Sequence, residues 1–379
     1  MSKSLAGSWK SLAAWLLGTT YSLFAGHSCC LAEMVFTHPG GTHNQADLDF
    51  VKARIAAGEQ PWTGIFNRLR LLATPLARAT VPSDENGQKE EGKKAYANAL
   101  AWCYTGNDAY AENAIGILNL WGRTFKGYDP VAGQNLLQGG WIGALLGPAA
   151  ELVRGYSGWQ PGDRAMVQAM FKKSFYPVLN TMSTWNGNVD LTQIDAMLNI
   201  AVFCDDEKEF KLGIQRLKSR TRAYFYLVTD GPLPDRQLWF NPEKWVNGLT
   251  QETCRDNGHH AQFAMASAFH ALEVAWNQGV DIYGDNAERY TAALELLATQ
   301  LRTGDMQGTC SANKATGSLL ATWEVGYNHY HNRKGYKLPN TRQLLDGKIR
   351  PHGQSEWNIF YETLTHNLDG NGKVQLPRR

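Results

Sequence analysis

Apolar residues recur every three to four positions along most of this chain, and seldom every second one. Residues 93–105 place Tyr96, Leu100, Ala101 and Tyr104 on one face before Gly106-Asn107-Asp108 interrupts the pattern. Residues 109–121 begin a second face with Ala114, Ile115, Ile117, Leu118 and Trp121. This spacing predicts two antiparallel helices joined by a short turn. Further helices are predicted over 139–155, 163–182 behind Pro161-Gly162, 191–203, 207–227, 262–277 and 286–301. Strand-type alternation is scarce; 222–228 is its best instance and also reads as the end of a helix.

Helical hairpins in series either stack as an open solenoid or close into a ring. A solenoid repeats itself at a fixed period, and no such period follows the first hairpin. Three long polar stretches, at 186–190, 233–257 and 328–345, also break any regular stacking. Loops of that length in a compact domain commonly carry function. The expected fold class is therefore all-α: an (α/α) toroid, an incomplete barrel of helical hairpins with an open substrate cleft.

Composition narrows the function classes. The chain has 379 residues, 43% hydrophobic, which is enough to bury a large core. A net charge of +2 carries no bulk signature of nucleic-acid binding. Lys3 and Lys10, an apolar run over 12–25 and small residues up to Ala32 form the pattern of a secretory signal over 1–32, with cleavage expected after Ala25 or Ala32. The run is too short and too broken to span a bilayer, so no stable membrane insertion is expected after cleavage, and residues 33–379 form a single secreted or periplasmic domain. Of the six cysteines, Cys103, Cys204, Cys254 and Cys310 lie beyond that leader and allow three pairings. Cys103 and Cys204 fit equally well as small core residues. No Cys/His cluster has zinc-site spacing, and neither metal nor cofactor is expected.

The polar stretches hold the candidate chemistry. Trp185-Asn186-Gly187-Asn188-Val189-Asp190 precedes a helix; capping accounts for one of its polar residues but not for two asparagines. Glu252-Thr253-Cys254-Arg255-Asp256-Asn257-Gly258-His259-His260 enters the long helix, and its plainest reading pairs Arg255 with Glu252. Trp323-Glu324 through Tyr327-Asn328-His329-Tyr330-His331-Asn332-Arg333 is the third. There is no Gly-x-Ser-x-Gly elbow, phosphate loop or HExxH motif. Asn, Arg, His and Tyr together suit β-elimination across a uronic acid. Donors on the sugar carboxylate stabilise the enolate-like charge that develops when the C5 proton leaves, and a histidine or tyrosine moves that proton. A glycosidase using carboxylates such as Glu324, or a helical-repeat protein that binds uronan without turnover, remains the alternative.

Several segments together resemble the alginate-lyase-domain polysaccharide lyases: the hairpin over 96–121, Asn186-Gly-Asn188-Val-Asp190, Arg255-Asp-Asn-Gly-His259, Ala275-Trp-Asn-Gln-Gly-Val-Asp281-Ile-Tyr-Gly, and Tyr327-Asn-His-Tyr330-His-Asn-Arg333 with Arg350-Pro351. The resemblance covers roughly 61–366, is most specific over 255–284, and lies nearest polysaccharide lyase family 38, which acts on glucuronan and polymannuronate. It implies an α/α toroid and metal-free elimination on a β-1,4-linked uronan, an activity of the EC 4.2.2 type, with an acidic polysaccharide as partner. By the same resemblance Asn188 neutralises the substrate carboxylate, with Asn186 as its substitute. His259 stands at the catalytic face, Arg255 organises the site, and Tyr327 or Tyr330 is the acid/base. Asn186, His260, Trp141, Gln138, Arg333 and His329 are assigned to substrate binding. Arg255 or Arg333 is expected to lower the pKa of the catalytic phenol. The pattern departs from the better-known alginate lyases, in which an Asn-His pair is contiguous and a tyrosine follows the arginine within two turns; here Phe263 occupies that region.

Overall fold

The computed structural model describes residues 34–183, 187–231, 239–315, 318–353 and 355–370. The expected leader and Asn186 lie outside them. Beyond Met34 the described residues belong to the unit Val35–Arg379. Its helices are α1 (Gln45–Ala56), α2 (Trp62–Leu72), α3 (Glu85–Thr105), α4 (Asp108–Thr124), α5 (Asn135–Val153), α6 (Pro161–Met170) and α7 (Tyr176–Leu179). Then come α8 (Gly187–Phe203), α9 (Glu207–Tyr224), α10 (His259–Asn277), α11 (Ile282–Asp285), α12 (Ala287–Thr303), α13 (Glu324–Tyr327), α14 (Pro339–Leu344) and α15 (Glu362–Thr365). A two-residue hairpin, β1 (Ser355–Glu356) and β2 (Ile359–Phe360), is the paired sheet among the described residues. The fold is an all-α toroid.

Four long helices form its inner ring and run parallel. Gln138 at the start of α5 reaches Gln88 and Glu85 at the start of α3. Farther along, Gly140, Gly143 and Gly147 of α5 lie against Thr192, Ala196 and Asn199 of α8, close enough that a Cβ on Gly140 or Gly143 would come within 3.0 Å of its neighbour. Glycine at these three positions of one helix face is what lets the two backbones approach. α8 and α10 keep step as well, with Thr192 Oγ1 3.1 Å from Ser267 Oγ and Asp195 on His270. The intervening helices return on the outside: α9 runs back along α8, with Arg216 reaching Gln193 and Arg220 reaching Asp190.

This topology makes the two ends of the ring chemically different. All four inner helices begin at one rim, where aligned peptide dipoles favour negative charge. At the other end, residues 37–44 cross the helix C-termini and are tied there by Glu151, Asn199, Asn277 and Gln278. One end is plugged, and the other presents the positive ends of four helices.

Local sequence explains the boundaries. Gly106 adopts φ 69° and ends α3, its N–H bonding Trp102 O; Asn107 then caps α4 through Ala109 N. α3 begins eight residues before its apolar pattern does, because Asp84 caps it through Gly87 N and the first two turns are polar. The predicted helix 163–182 is broken by a π-helical turn over Phe171–Phe175 ahead of Pro177. The chain leaves α9 at Tyr224, and Phe225 bridges Thr250, so the segment read both as strand and as helix end is part of each. Residues 328–345 are a loop only in part: a π-helical turn (Asn328–Arg333) and α14 flank an irregular stretch over 334–338.

Candidate active site

The rim where the inner helices begin collects most of the predicted residues, and an acid that the sequence suggests only as an ion-pair partner organises them. Glu252 is fully buried. Its Oε1 accepts from Asn188 Nδ2 at 2.6 Å and Arg255 Nη1 at 2.8 Å; its Oε2 accepts from Asn188 N at 3.0 Å and the Tyr224 hydroxyl at 2.9 Å. Asn188 is therefore held by both its backbone and its amide in the first turn of α8. Arg255, three residues from Glu252, is tied by one nitrogen of its fork, and its side chain stays solvent-accessible. The Tyr224 hydroxyl donates to Glu252 and lies within hydrogen-bond reach of Thr250. Burial, reinforced by Glu252, raises its pKa well above that of a free phenol.

His259 opens α10 behind Gly258, whose φ of 96° gives the sharp entry. The His259 ring lies edge-on to Phe263 at 5.5 Å, and its Nδ1 is buried with no hydrogen-bond partner among the described residues. One helical turn before the Thr192–Ser267 contact, Asn188 is level with Phe263, and His259 lies one turn nearer the mouth. His260 is half-buried and its ring and backbone nitrogens both bond Asp256. Burial alone would raise the Asp256 carboxyl, but these bonds more than offset it and hold the pKa below the usual range.

Trp141 of α5 stacks on Trp357, at the tip of the β1–β2 hairpin, with ring centres 4.0 Å apart, and touches Phe263 at 6.3 Å. Trp141 Nε1 is likewise buried without a partner among the described residues. Gln138 bonds Gln88 at 3.1 Å and ties α5 to α3.

Four assignments are corrected. Tyr327, Tyr330 and His329 are fully buried, and Arg333 nearly so. Tyr330 donates to Tyr283 O at 3.0 Å, and the Tyr327 hydroxyl accepts from Arg342 at 3.1 Å. Their segment packs on α10 around Phe269, which Gly326 abuts; ten residues of helix, about 15 Å, separate Phe269 from His259. Burial raises both phenols, opposite to the expected lowering. Arg333 is buried in ion pairs with Glu273 and Asp47. His329 stacks on Tyr283 at 3.7 Å, and burial with Arg333 and Lys334 nearby pushes its pKa down to about 2. These side chains read as a polar loop because the apolar surface covering them belongs to distant elements. Tyr327→Phe and Tyr330→Phe should each retain turnover within about threefold and lose roughly 1 kcal/mol of stability, the worth of one hydrogen bond; steady-state rates and urea midpoints check this. Glu324, the acid offered for hydrolysis, is buried and held in two bonds by Arg350.

Cys254, between Glu252 and Arg255, is bonded to Cys310, while Cys103 and Cys204 are free thiols. The bridge closes a loop with a sequence separation of 56. Its removal by Cys254→Ser with Cys310→Ser should cost about 4 kcal/mol by loop entropy. Turnover should fall as well, because the Glu252–Arg255 turn loses its anchor. Unchanged melting and rate would show that the turn needs no staple. Among the described residues, no group of three or more His, Cys, Asp or Glu side chains is placed to hold a metal ion.

A ring of hairpins whose inner helix N-termini carry an Asn/Arg/His group defines a toroid polysaccharide lyase in class. The alginate lyase family model matches residues 82–306, more than half the chain, and the chain belongs to that family: it is a polysaccharide lyase of the EC 4.2.2 type. Alginate lyase A1-III from Sphingomonas species A1 is similar in fold, with a TM-score of 0.61 at 14% identity over 87% of this chain and 98% of that one. A histidine-to-alanine variant of alginate lyase A1-III, complexed with tetrasaccharide, gives 0.61 at 15% over 88% and 98%. An alginate lyase from Bacteroides ovatus gives 0.55 at 12% over 88% and 100%. No curated protein matches the sequence.

Proposed function

We propose that this lyase cleaves a β-1,4-linked polyuronan, glucuronan or polymannuronate, by β-elimination that needs no metal. The observation that carries the reading is the gathering of Asn188 and Arg255 on buried Glu252, beside a histidine with an unpartnered ring nitrogen. Asn188 and Arg255 face the sugar carboxylate and stabilise charge as it develops. His259 takes the C5 proton, the C4=C5 double bond forms, the C4–O4 bond breaks, and the imidazolium returns the proton to O4. Glucuronate and mannuronate share the configuration at C4 and C5, with H5 and O4 on one face, so one group can serve both steps. His260 and Trp141 line the approach to His259, and Asn186 serves as a substrate contact. Secretion to an oxidising compartment is part of the proposal; the N-terminal pattern and the Cys254–Cys310 bond support it. Ultraviolet absorbance of the conjugated unsaturated uronyl end, over a panel of glucuronan, polymannuronate, polyguluronate and hyaluronan, tests it. A new saturated end would mark a hydrolase, and binding without product a noncatalytic protein.

A further inference from the structure

Two ammonium groups near the aromatic floor have no part in the elimination. Lys89 and Lys93 stand four residues apart on α3 and so share a face. Lys89 Nζ lies 4.2 Å from the Trp357 ring centre and donates to Asn86 Oδ1 at 3.2 Å. Lys93 is 8% exposed. Its ion-pair partner among the described residues is Glu90 at 3.8 Å, beyond hydrogen-bond reach. Burial lowers the Lys93 pKa against the opposing pull of Glu90 and Glu356. A largely buried ammonium with no acceptor within hydrogen-bond reach gains from an incoming one.

A second, independent observation lies alongside. The Trp141 indole N–H is also buried without an acceptor, and its ring stacks on the Trp357 that Lys89 covers. From Trp357 the rings continue through Trp141 and Phe263 to His259 at centre distances of 4.0, 6.3 and 5.5 Å. A strip of aromatic surface thus joins the lysines to the proposed base. Unmet donors at its far end ask for a ligand bearing a carboxylate beside hydroxyls.

We propose that Lys89, Lys93, Trp141 and Trp357 form an accessory subsite for the carboxylate of a second uronate on the same strand, several sugars from the one cleaved at His259. It rests on the reading of this chain as a polyuronan lyase. The carboxylate accepts from the two ammonium groups, and a sugar oxygen accepts from the Trp141 N–H. Glu90 and Glu356 compete for the same cations, so the strand is held in exchange and released after cleavage.

The test is steady-state kinetics of Lys89→Gln and Lys93→Gln on the polymer and on uronate oligomers of graded length. Each substitution should raise KM on the polymer by about tenfold, the worth of one charge-assisted hydrogen bond. Each should leave kcat within about twofold, as expected when binding is removed equally from ground and transition states. KM for the shortest oligomer cleaved should not move, because it does not reach the lysines. Polymer KM unchanged in Lys89→Gln, or raised equally for short and long substrates, overturns the subsite. Lys89 is partly exposed, so its variant remains informative if Lys93→Gln proves unstable by thermal melting. Should the wild type release no unsaturated product, the lyase reading fails. Calorimetry with a long oligouronate then still decides the subsite: weaker binding by Lys89→Gln supports it, and equal binding overturns it.

Discussion

His259→Ala is expected to lower kcat on polyuronan by about 10²–10⁴-fold, the usual worth of a positioned proton-transfer group, with little loss of stability. The ring sits at the first position of α10, at the mouth, with Nδ1 bonded to nothing among the described residues. Its removal therefore breaks no buried hydrogen bond of the fold. Asn188→Ala provides the contrast. Deleting its amide should cost about 10²–10³ in kcat, as for loss of one transition-state donor. It also strips a 2.6 Å bond from buried Glu252, which should cost about 1–3 kcal/mol of stability. The two variants are thus separated by their melting curves as well as by their rates. A His259→Ala enzyme within tenfold of wild type would remove His259 from proton transfer.

His270→Gln is expected to destabilise the fold by about 3–5 kcal/mol, the cost of breaking a buried ion cluster by removing one partner. His270 lies between Asp195 at 3.2 Å and Glu362 at 2.9 Å, all three buried, and so joins α8 and α10 to α15. Burial alone would lower its pKa; the two carboxylates override that and raise it to about 10. A group whose folded pKa is raised stabilises fully below its unfolded value, near 6.5, and progressively less as pH rises towards about 10. The gap in urea midpoint between wild type and His270→Gln should therefore be widest near pH 6 and shrink towards pH 10. A gap that is constant or grows with pH would mean that His270 is not held as the cation.

Helix period and turn residues are enough to read the ring of hairpins, because core-facing positions such as Leu100, Ile117 and Trp121 recur with the helix itself. The start of α3 escapes that reading: its first turns are polar and face the mouth, and Lys89 and Lys93 are hidden with them. Asn188, Arg255 and His259 are legible as residues too many for capping. Glu252 is legible as the partner of Arg255, but its bonds to Asn188 and Tyr224 join segments far apart in sequence, which no local pattern reveals. Trp357 is hidden for the same reason, since its worth comes from Trp141, more than two hundred positions earlier. Tyr327, Tyr330, His329 and Arg333 mislead in the opposite sense. Their polarity is spent inside the protein on Tyr283 O, Arg342 and Glu273, or buried against rings, and a composition that looks like a site turns out to be the packing of a π-helical turn.

The decisive measurement is the time course of absorbance from unsaturated uronyl ends when the purified enzyme is mixed with glucuronan or polymannuronate in a chelating buffer. A steady rise with wild type, abolished in His259→Ala and preserved in Tyr330→Phe, is the predicted result. Loss of the signal in chelator with recovery on adding a divalent cation, or a wild-type rate matched by His259→Ala, would contradict it.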